Sequence, residues 1–471
     1  MLEKSLFRGQ QQWRPRPKGL WIVIVLIGLC LGIASCGSPN PEEQLVARLD
    51  EVLAQSWQFY KTRFIQPDGR VVRPDDHNDS VSEGQAYALL RAVWSNDQAT
   101  FDRVYGWTEA NLSQQRLKSR HLLAWHFGQD HQGQWTLLDG NSAADADQDY
   151  ALAMVLAHRR WGRPTGNLPN YQEKAVLVLK DLMSHSTCQD PWGRLWLTPG
   201  DWASCQLPLL LNPSYFSPAW NEVFYWVTGD RRWLKLADTA YLGLELLSRR
   251  FGDQSGVGLV PDWCLLQDKE AFGPAPEQSA AFGWDAIRIP WRIGLAALWF
   301  QDKRARQFLA KTFLPFARQQ WQNQGRLLAI YAYDGQALVN YDSPVLYAGL
   351  VAAALAVADQ PLARQAVEKI LSFYQDGPDG GFFNRPDDYY GNNWAWFGLA
   401  TYRGRIVPQW RREIAKKIPE GVGAESPPLA PHFSRKILIA AARASNLCPS
   451  SCRVGACPNT CRHIQGLSMH R

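Results

Sequence analysis

Residues 217–250 read SPAWNEVFYWVTGDRRWLKLADTAYLGLELLSRR. Two helical stretches, Ser217–Val227 and Arg231–Arg250, meet at Thr228-Gly229-Asp230, a turn compact enough to fold them into a hairpin. The unit recurs along the chain. Glu83–Trp94 and Ala99–Leu112 flank Ser95-Asn96-Asp97, and Asp147–Trp161 is followed by Asn170–Met183. Asp285–Phe300 precedes Arg304–Gln320, and Pro344–Ala356 precedes Pro361–Tyr374. An amphipathic stretch, Glu42–Phe64, with Leu45, Leu49, Val52, Leu53 and Trp57 on one face, opens the series and Gly391–Tyr402 closes it. Pairs without a close sequence repeat exclude a short-period solenoid. They predict an all-α toroid, an inner ring of helices inside an outer one. The irregular stretches Lys118–Asn141, Ser184–Tyr215, Gly252–Gly283 and Gly377–Tyr390, rich in Trp, Gly, Pro and Asp, are the expected site-forming loops at one end.

The two ends differ from the middle. Lys4, Arg8, Arg14, Arg16 and Lys18 precede an apolar run, Gly19–Gly32, and then Ile33-Ala34-Ser35-Cys36. This is the pattern of a secretory signal rather than a stable span. Cys36 after two small residues reads as a lipobox, so residues 1–36 are expected to be a lipoprotein signal and Cys36 the lipidated anchor of an exported protein. An ordinary signal peptide or an uncleaved anchor is the alternative. Residues 406–471 form a basic tail in which Cys448, Cys452, Cys457 and Cys461 lack paired C-x2-C knuckles, so disorder is expected there rather than a zinc site. Residues 37–405 remain as the single catalytic domain.

The net charge of +6 conceals this division. Residues 1–36 hold five Lys/Arg against one Glu, and 403–471 hold twelve against three, which leaves −7 for the middle. An acidic body disfavours nucleic acid and suits a neutral polymer. The 22 Trp exceed ordinary packing needs, and Trp faces stack on pyranose rings. Of the body's cysteines, Cys188 and Cys205 are the expected disulfide in an exported chain.

Three carboxylates stand out. Glu83 lies in Val81-Ser82-Glu83-Gly84-Gln85 at a helix start, where a first-turn acid capping the dipole is the alternative. Asp145 opens Asp145-Ala146-Asp147-Gln148-Asp149, which begins like an EF-hand loop. Tyr150 at position six and Leu156 at position twelve rule that calcium reading out. One acid of this run is expected to cap the following helix and another to face the substrate. Asp285 follows Trp284 in an apolar setting, with Arg288 one helical turn on to keep it ionised. A plain surface Asp–Arg pair is the alternative. Paired carboxyl groups flanking one bond are the machinery of glycoside hydrolysis, and no metal or cofactor is required.

Ser82-Glu83-Gly84-Gln85, Thr100-Phe101-Asp102 with Trp107-Thr108, Asn141-Ser142-Ala143-Ala144-Asp145-Ala146-Asp147, Asn212-Pro213-Ser214-Tyr215, Asp285-Ala286-Ile287-Arg288 and Tyr389-Tyr390 appear in order between Trp57 and Tyr402. Together they resemble glycoside hydrolase family 8, which includes the periplasmic cellulase encoded beside cellulose synthase. The resemblance implies an (α/α)6 barrel and an inverting mechanism. It implies Glu83 as general acid, Asp285 as general base, Asp145 as an acid that contacts and helps distort the sugar, and Tyr215 as a site tyrosine. Ala144, Tyr150 and Trp284 depart from the family's usual residues, which bears on substrate fit and leaves every carboxylate in place.

The expected activity is therefore endo-hydrolysis of a β-1,4-glucan by a monomer, with a functional link to cellulose synthase. Inversion needs the two carboxyl groups roughly 6.5–9.5 Å apart. Trp125, Trp202, Trp284 and Tyr215 are the candidate sugar platforms, with Asn141 and Arg288 as further substrate-binding residues. Xylan, mixed-linkage glucan or chitosan on the same fold, and a non-catalytic glycan-binding partner of a polysaccharide synthase, are the rivals.

Overall fold

The computed structural model describes residues 40–408. The signal segment with Cys36 and the four-cysteine tail lie outside the described residues. The described residues open with α1 (Pro41–Arg63), and hairpins follow in order: α2 (Ser82–Trp94) with α3 (Gln98–Asn111), α4 (Ala144–Trp161) with α5 (Tyr171–His185), and α6 (Pro218–Thr228) with α7 (Arg232–Arg249). Next come α8 (Ile289–Phe300) with α9 (Lys303–Lys311) and α10 (Phe313–Gln324), then α11 (Pro344–Ala356) with α12 (Gln360–Ser372), and finally α13 (Tyr389–Tyr402). The last helix packs on α1, so the sixth hairpin joins the two ends of the barrel.

The inner ring runs α2, α4, α6, α8, α11, α13, each packed on the next. Tyr87 and Trp94 of α2 close it by meeting Trp394 and Phe397 of α13 edge to face. Composition decides which helix goes inside. α11 is apolar around its whole circumference and almost wholly buried, whereas α12 buries only Leu362, Ala363, Ala366, Val367, Ile370 and Leu371, one stripe at helical spacing. Small residues bring inner neighbours close: a Cβ on Gly294 of α8 would stand 2.8 Å from the Ala352 backbone. These features make the (α/α)6 barrel expected from sequence.

The connections are asymmetric. Inner helices pass to outer ones through short links such as Ser95–Asp97 and Gly229–Arg231, where Gly229 adopts φ 72° as its N–H caps Tyr225. Outer helices return through long segments, all arriving at the N-terminal ends of the inner ring. The expected loops lie there and carry short strands: His126–Gln129 and Trp135–Asp139 extend Ser80–Val81 into one antiparallel sheet, and Leu209–Leu211, Cys264–Asp268 and Ala271–Gly273 make another. Cys188 and Cys205 form the expected disulfide, and Cys264 is buried and free.

Several boundaries differ from expectation: the helix expected from Asp285 begins at Ile289 after a 3-10 turn, Ala286–Arg288, and the one expected to end at Gln320 runs to Gln324. Arg304–Gln320 is broken at Thr312, because Pro315 has no N–H for the turn before it and its ring crowds the Lys311 carbonyl. Helix α4 starts at Ala144 rather than Asp147, and no side chain caps it. None of its acids is a cap: Asp147 accepts the Leu123 N–H at 2.9 Å, and Asp149 pairs with Arg292 at 2.8 Å and takes the Trp220 indole N–H at 2.7 Å.

Candidate active site

The N-terminal ends of four inner helices each deliver part of one cluster. Glu83 lies in the first turn of α2, Asp145 in that of α4, Tyr215 just before α6 and Asp285 just before α8. Helix N-termini carry partial positive charge, which favours carboxylates there.

Arg288 holds the cluster together from below. It is 4% exposed. Its Nη1 donates to Asp145 Oδ2 at 2.8 Å, and its Nη2 donates to Ser214 Oγ at 2.7 Å and to Asp285 Oδ1. Its guanidinium also lies 5.5 Å from the Tyr215 ring centroid. The surface-pair alternative for Asp285 and Arg288 is thereby excluded.

The acids occupy different environments. Glu83 is partly buried and receives the Ser82 hydroxyl at 3.2 Å. Burial foremost, then the charge of Asp145, pushes its pKa up to about 7 against the pull of Arg288 and Ser82. Such a carboxyl carries a proton in about half of the molecules at neutral pH, where an ordinary Glu is ionised, and can donate it. Asp285 is the open one, its side chain 32% exposed. Both its oxygens meet donors, Arg288 on Oδ1 and the Trp263 indole N–H on Oδ2 at 2.9 Å. That arrangement suits a proton acceptor.

Asp145, expected to touch the sugar, has no exposed side-chain surface in this structure. Its Oδ1 accepts the Ala146 N–H at 2.9 Å and its Oδ2 faces Arg288. Burial raises its pKa, although Arg288 and Arg292 oppose this. It acts on its neighbours from beneath, through Arg288 and through its field on Glu83. Tyr215 is 8% exposed, and burial together with the charges of Asp145, Asp285 and Glu83 keeps its hydroxyl protonated.

Of the expected platforms, Trp125, Trp202 and Trp284 lie on loops tied to the segments that carry these acids, whereas the Tyr215 ring is buried beside Arg288 and Trp263 and offers no face to a sugar. Trp125 is partly exposed, stacks on His126 with ring centroids 4.6 Å apart, and accepts the Ser82 N–H on its carbonyl at 2.9 Å, directly before Glu83. Asn141 accepts the Trp125 N–H at 2.8 Å and takes Lys118 Nζ on its side chain at 3.2 Å, so its contacts here anchor the loop. Trp202 is 46% exposed and its indole N–H bonds the Ser142 carbonyl at 3.2 Å, three residues before Asp145. Trp284, 42% exposed, stands beside Asp285 and is steadied by the Tyr390 hydroxyl on its carbonyl at 2.7 Å. Of the departures, Tyr150 is buried against Glu109 and Ala144 is buried against Pro199, so both belong to the scaffold.

Sequence reading did not single out Asp262 and Trp263, both of which bond the Asp285 segment. Neither carries a local signal, since backbone pairing of Asp262 and Trp263 with Ala281 and Ser279 brings them there. Among the described residues, no three His, Cys, Asp or Glu side chains are grouped to hold a metal ion.

The model of glycosyl hydrolases family 8 matches residues 43–402. Endoglucanase A of Acetivibrio thermocellus is 32% identical over 351 residues, covering 73% of this chain and 67% of that protein. An endoglucanase of Salmonella typhi is 28% identical over 361 residues, covering 76% of this chain and 91% of that one. In fold, the chain is similar to the apo β-1,3-1,4-glucanase of Paenibacillus sp. X4, with a TM-score of 0.64, 24% identity, and coverage of 76% of this chain and 93% of that one.

Proposed function

The chain belongs to glycosyl hydrolase family 8, and from that premise we propose that it is an endo-acting, inverting β-1,4-glucanase with Glu83 as acid and Asp285 as base. Glu83 protonates the glycosidic oxygen as the bond breaks. Asp285 takes a proton from a water attacking C1 from the opposite face, and Arg288 and Trp263 orient it for that task. Asp145 fixes Arg288 and keeps Glu83 protonated. Trp125, Trp202 and Trp284 flank the glucan as stacking surfaces. The observation that carries these roles is the split between two carboxyl groups: one pushed up to about 7 and proton-bearing, the other open to water and met by donors on both oxygens.

Reducing-end release from carboxymethylcellulose, beside xylan, mixed-linkage glucan and chitosan, tests the reading. Turnover is expected to be greatest on the β-1,4-glucan. Preference for another polymer reassigns the substrate, and binding without release favours a non-catalytic glycan-binding role.

The Cys188–Cys205 disulfide supports an exported site of action, because such bonds persist in oxidising compartments. No helix among the described residues is long and apolar enough to cross a membrane. Anchoring through a lipidated Cys36 belongs to the same reading, and incorporation of labelled palmitate that Cys36→Ala abolishes tests it. So do a monomeric state and a link to cellulose synthase, the latter tested by whether synthase subunits neighbour the gene.

A further inference from the structure

A second acid is buried beside the proposed base. Asp262 is 4% exposed. Its Oδ1 accepts three backbone N–H groups, from Gly283 at 3.1 Å, Asp285 at 3.1 Å and Ala286 at 2.7 Å. Its Oδ2 takes the Ser279 hydroxyl at 2.6 Å. Room for this carboxylate exists because residue 283 is glycine: a Cβ there would stand 2.5 Å from Asp262 Oδ2.

The local chemistry of Asp285 explains why such a clamp is useful. Asp285 occupies the N-cap position of the short 3-10 turn Ala286–Arg288, yet its own side chain makes no capping bond. An Asp there ordinarily folds back onto the free N–H groups of the following turn. Here the N–H groups of Ile287 and Arg288 are already taken by the Gly283 and Asp285 carbonyls at 3.0 and 3.1 Å, while Asp262 holds the three N–H groups at and before the start of the turn. The Asp285 carboxylate is left to point away, toward Arg288 and the Trp263 indole. Residues 262 and 263 thus divide the work, the first holding the backbone of the base and the second one of its oxygens.

We propose that Asp262 is the positioning residue of the general base, holding the Gly283–Ala286 backbone so that the Asp285 carboxylate faces the attacking water. This rests on the assignment of Asp285 as base. A buried carboxylate beside another carries a cost, and burial together with the charge of Asp285 pushes the Asp262 pKa up to about 6. The amide and hydroxyl donors around it oppose that rise.

Asp262→Ala tests the proposal by kinetics and by crystallography. Displacing a reacting group by about 1 Å can cost about 100-fold, so kcat is expected to fall by about that factor. KM should stay within about threefold, since the loss belongs to the transition state. The crystal structure of the variant should show the Gly283–Ala286 backbone shifted and the Asp285 carboxylate displaced, with the Trp263 bond broken. Asp262→Asn keeps an acceptor oxygen in place and is expected to recover turnover to within about tenfold of wild type, and it carries the test if the alanine variant does not fold. A kcat within threefold of wild type for Asp262→Ala, or an unmoved Asp285 carboxylate, overturns the inference. Failure of the wild-type protein to cleave any polysaccharide would overturn the functional reading instead, and the position of Asp285 in the variant would still decide the role of Asp262.

Discussion

Arg288 joins Asp145 to Asp285, donating from Nη1 to the first at 2.8 Å and from Nη2 to the second. One cation thus serves a fully buried acid in the first turn of α4 and a solvent-open one just before α8. The fork of a guanidinium makes this possible, because its planar nitrogens reach both carboxylates and Ser214 at once.

Arg288→Lys keeps the charge and loses the fork. It is expected to lower kcat by about 100-fold, because the base loses its orientation. Arg288→Ala strands buried charge and is expected to destabilise the fold by about 3 kcal/mol or more. Steady-state kinetics and denaturant unfolding check the two.

Glu83 acts as a donor only while protonated. With its pKa pushed up to about 7, kcat/KM is expected to fall on the alkaline side with an apparent pKa near that value. The charge of Asp145 helps hold it there, so Asp145→Asn should move the alkaline limb to lower pH. Full pH profiles of both proteins decide this, and an unmoved limb contradicts the coupling.

Stability carries the same signature with a definite sign. A carboxyl whose pKa rises on folding favours the folded state most below its unfolded value, 4.5, and that contribution is lost as pH rises through about 7. Removing the charge should therefore stabilise the protein only at high pH. Glu83→Gln is expected to melt like wild type near pH 4.5, and higher by about 2 °C or more at pH 8. Calorimetry at the two pH values checks it.

Trp202 and Trp284 expose broad faces beside the acids but make no bond to them. Replacing either with alanine is expected to raise KM by about five- to tenfold, the equivalent of about 1 kcal/mol of stacking, with kcat held within about threefold. A fall in kcat at constant KM would assign them to the chemistry instead.

Much of this was legible in the sequence because the signals are local. Thr228-Gly229-Asp230 marks a turn wherever it stands, and the stripe of α12 sets it apart from the all-apolar α11. The break at Thr312 was legible too, in Pro315, although a continuous helix is the first reading of that stretch. Glu83, Asp285 and Tyr215 were visible through the motifs around them. The second acid at the base was not. Asp262 reaches Asp285 only because Asp262 and Ala281 pair along the chain, and nothing in Pro261-Asp262-Trp263 announces that partner. Nor did Asp145 reveal its burial, which depends on Arg288 arriving from another helix.

Inversion by Glu83 and Asp285 is tested most directly by proton NMR of the reducing ends formed in the first minutes of hydrolysis of a β-1,4-glucan, before mutarotation mixes them. The α-anomer is expected first, with Glu83→Gln and Asp285→Asn each lowering the rate by about 100-fold or more and leaving helical content unchanged. Appearance of the β-anomer first, or near-normal turnover in either variant, would contradict the assignment of this pair.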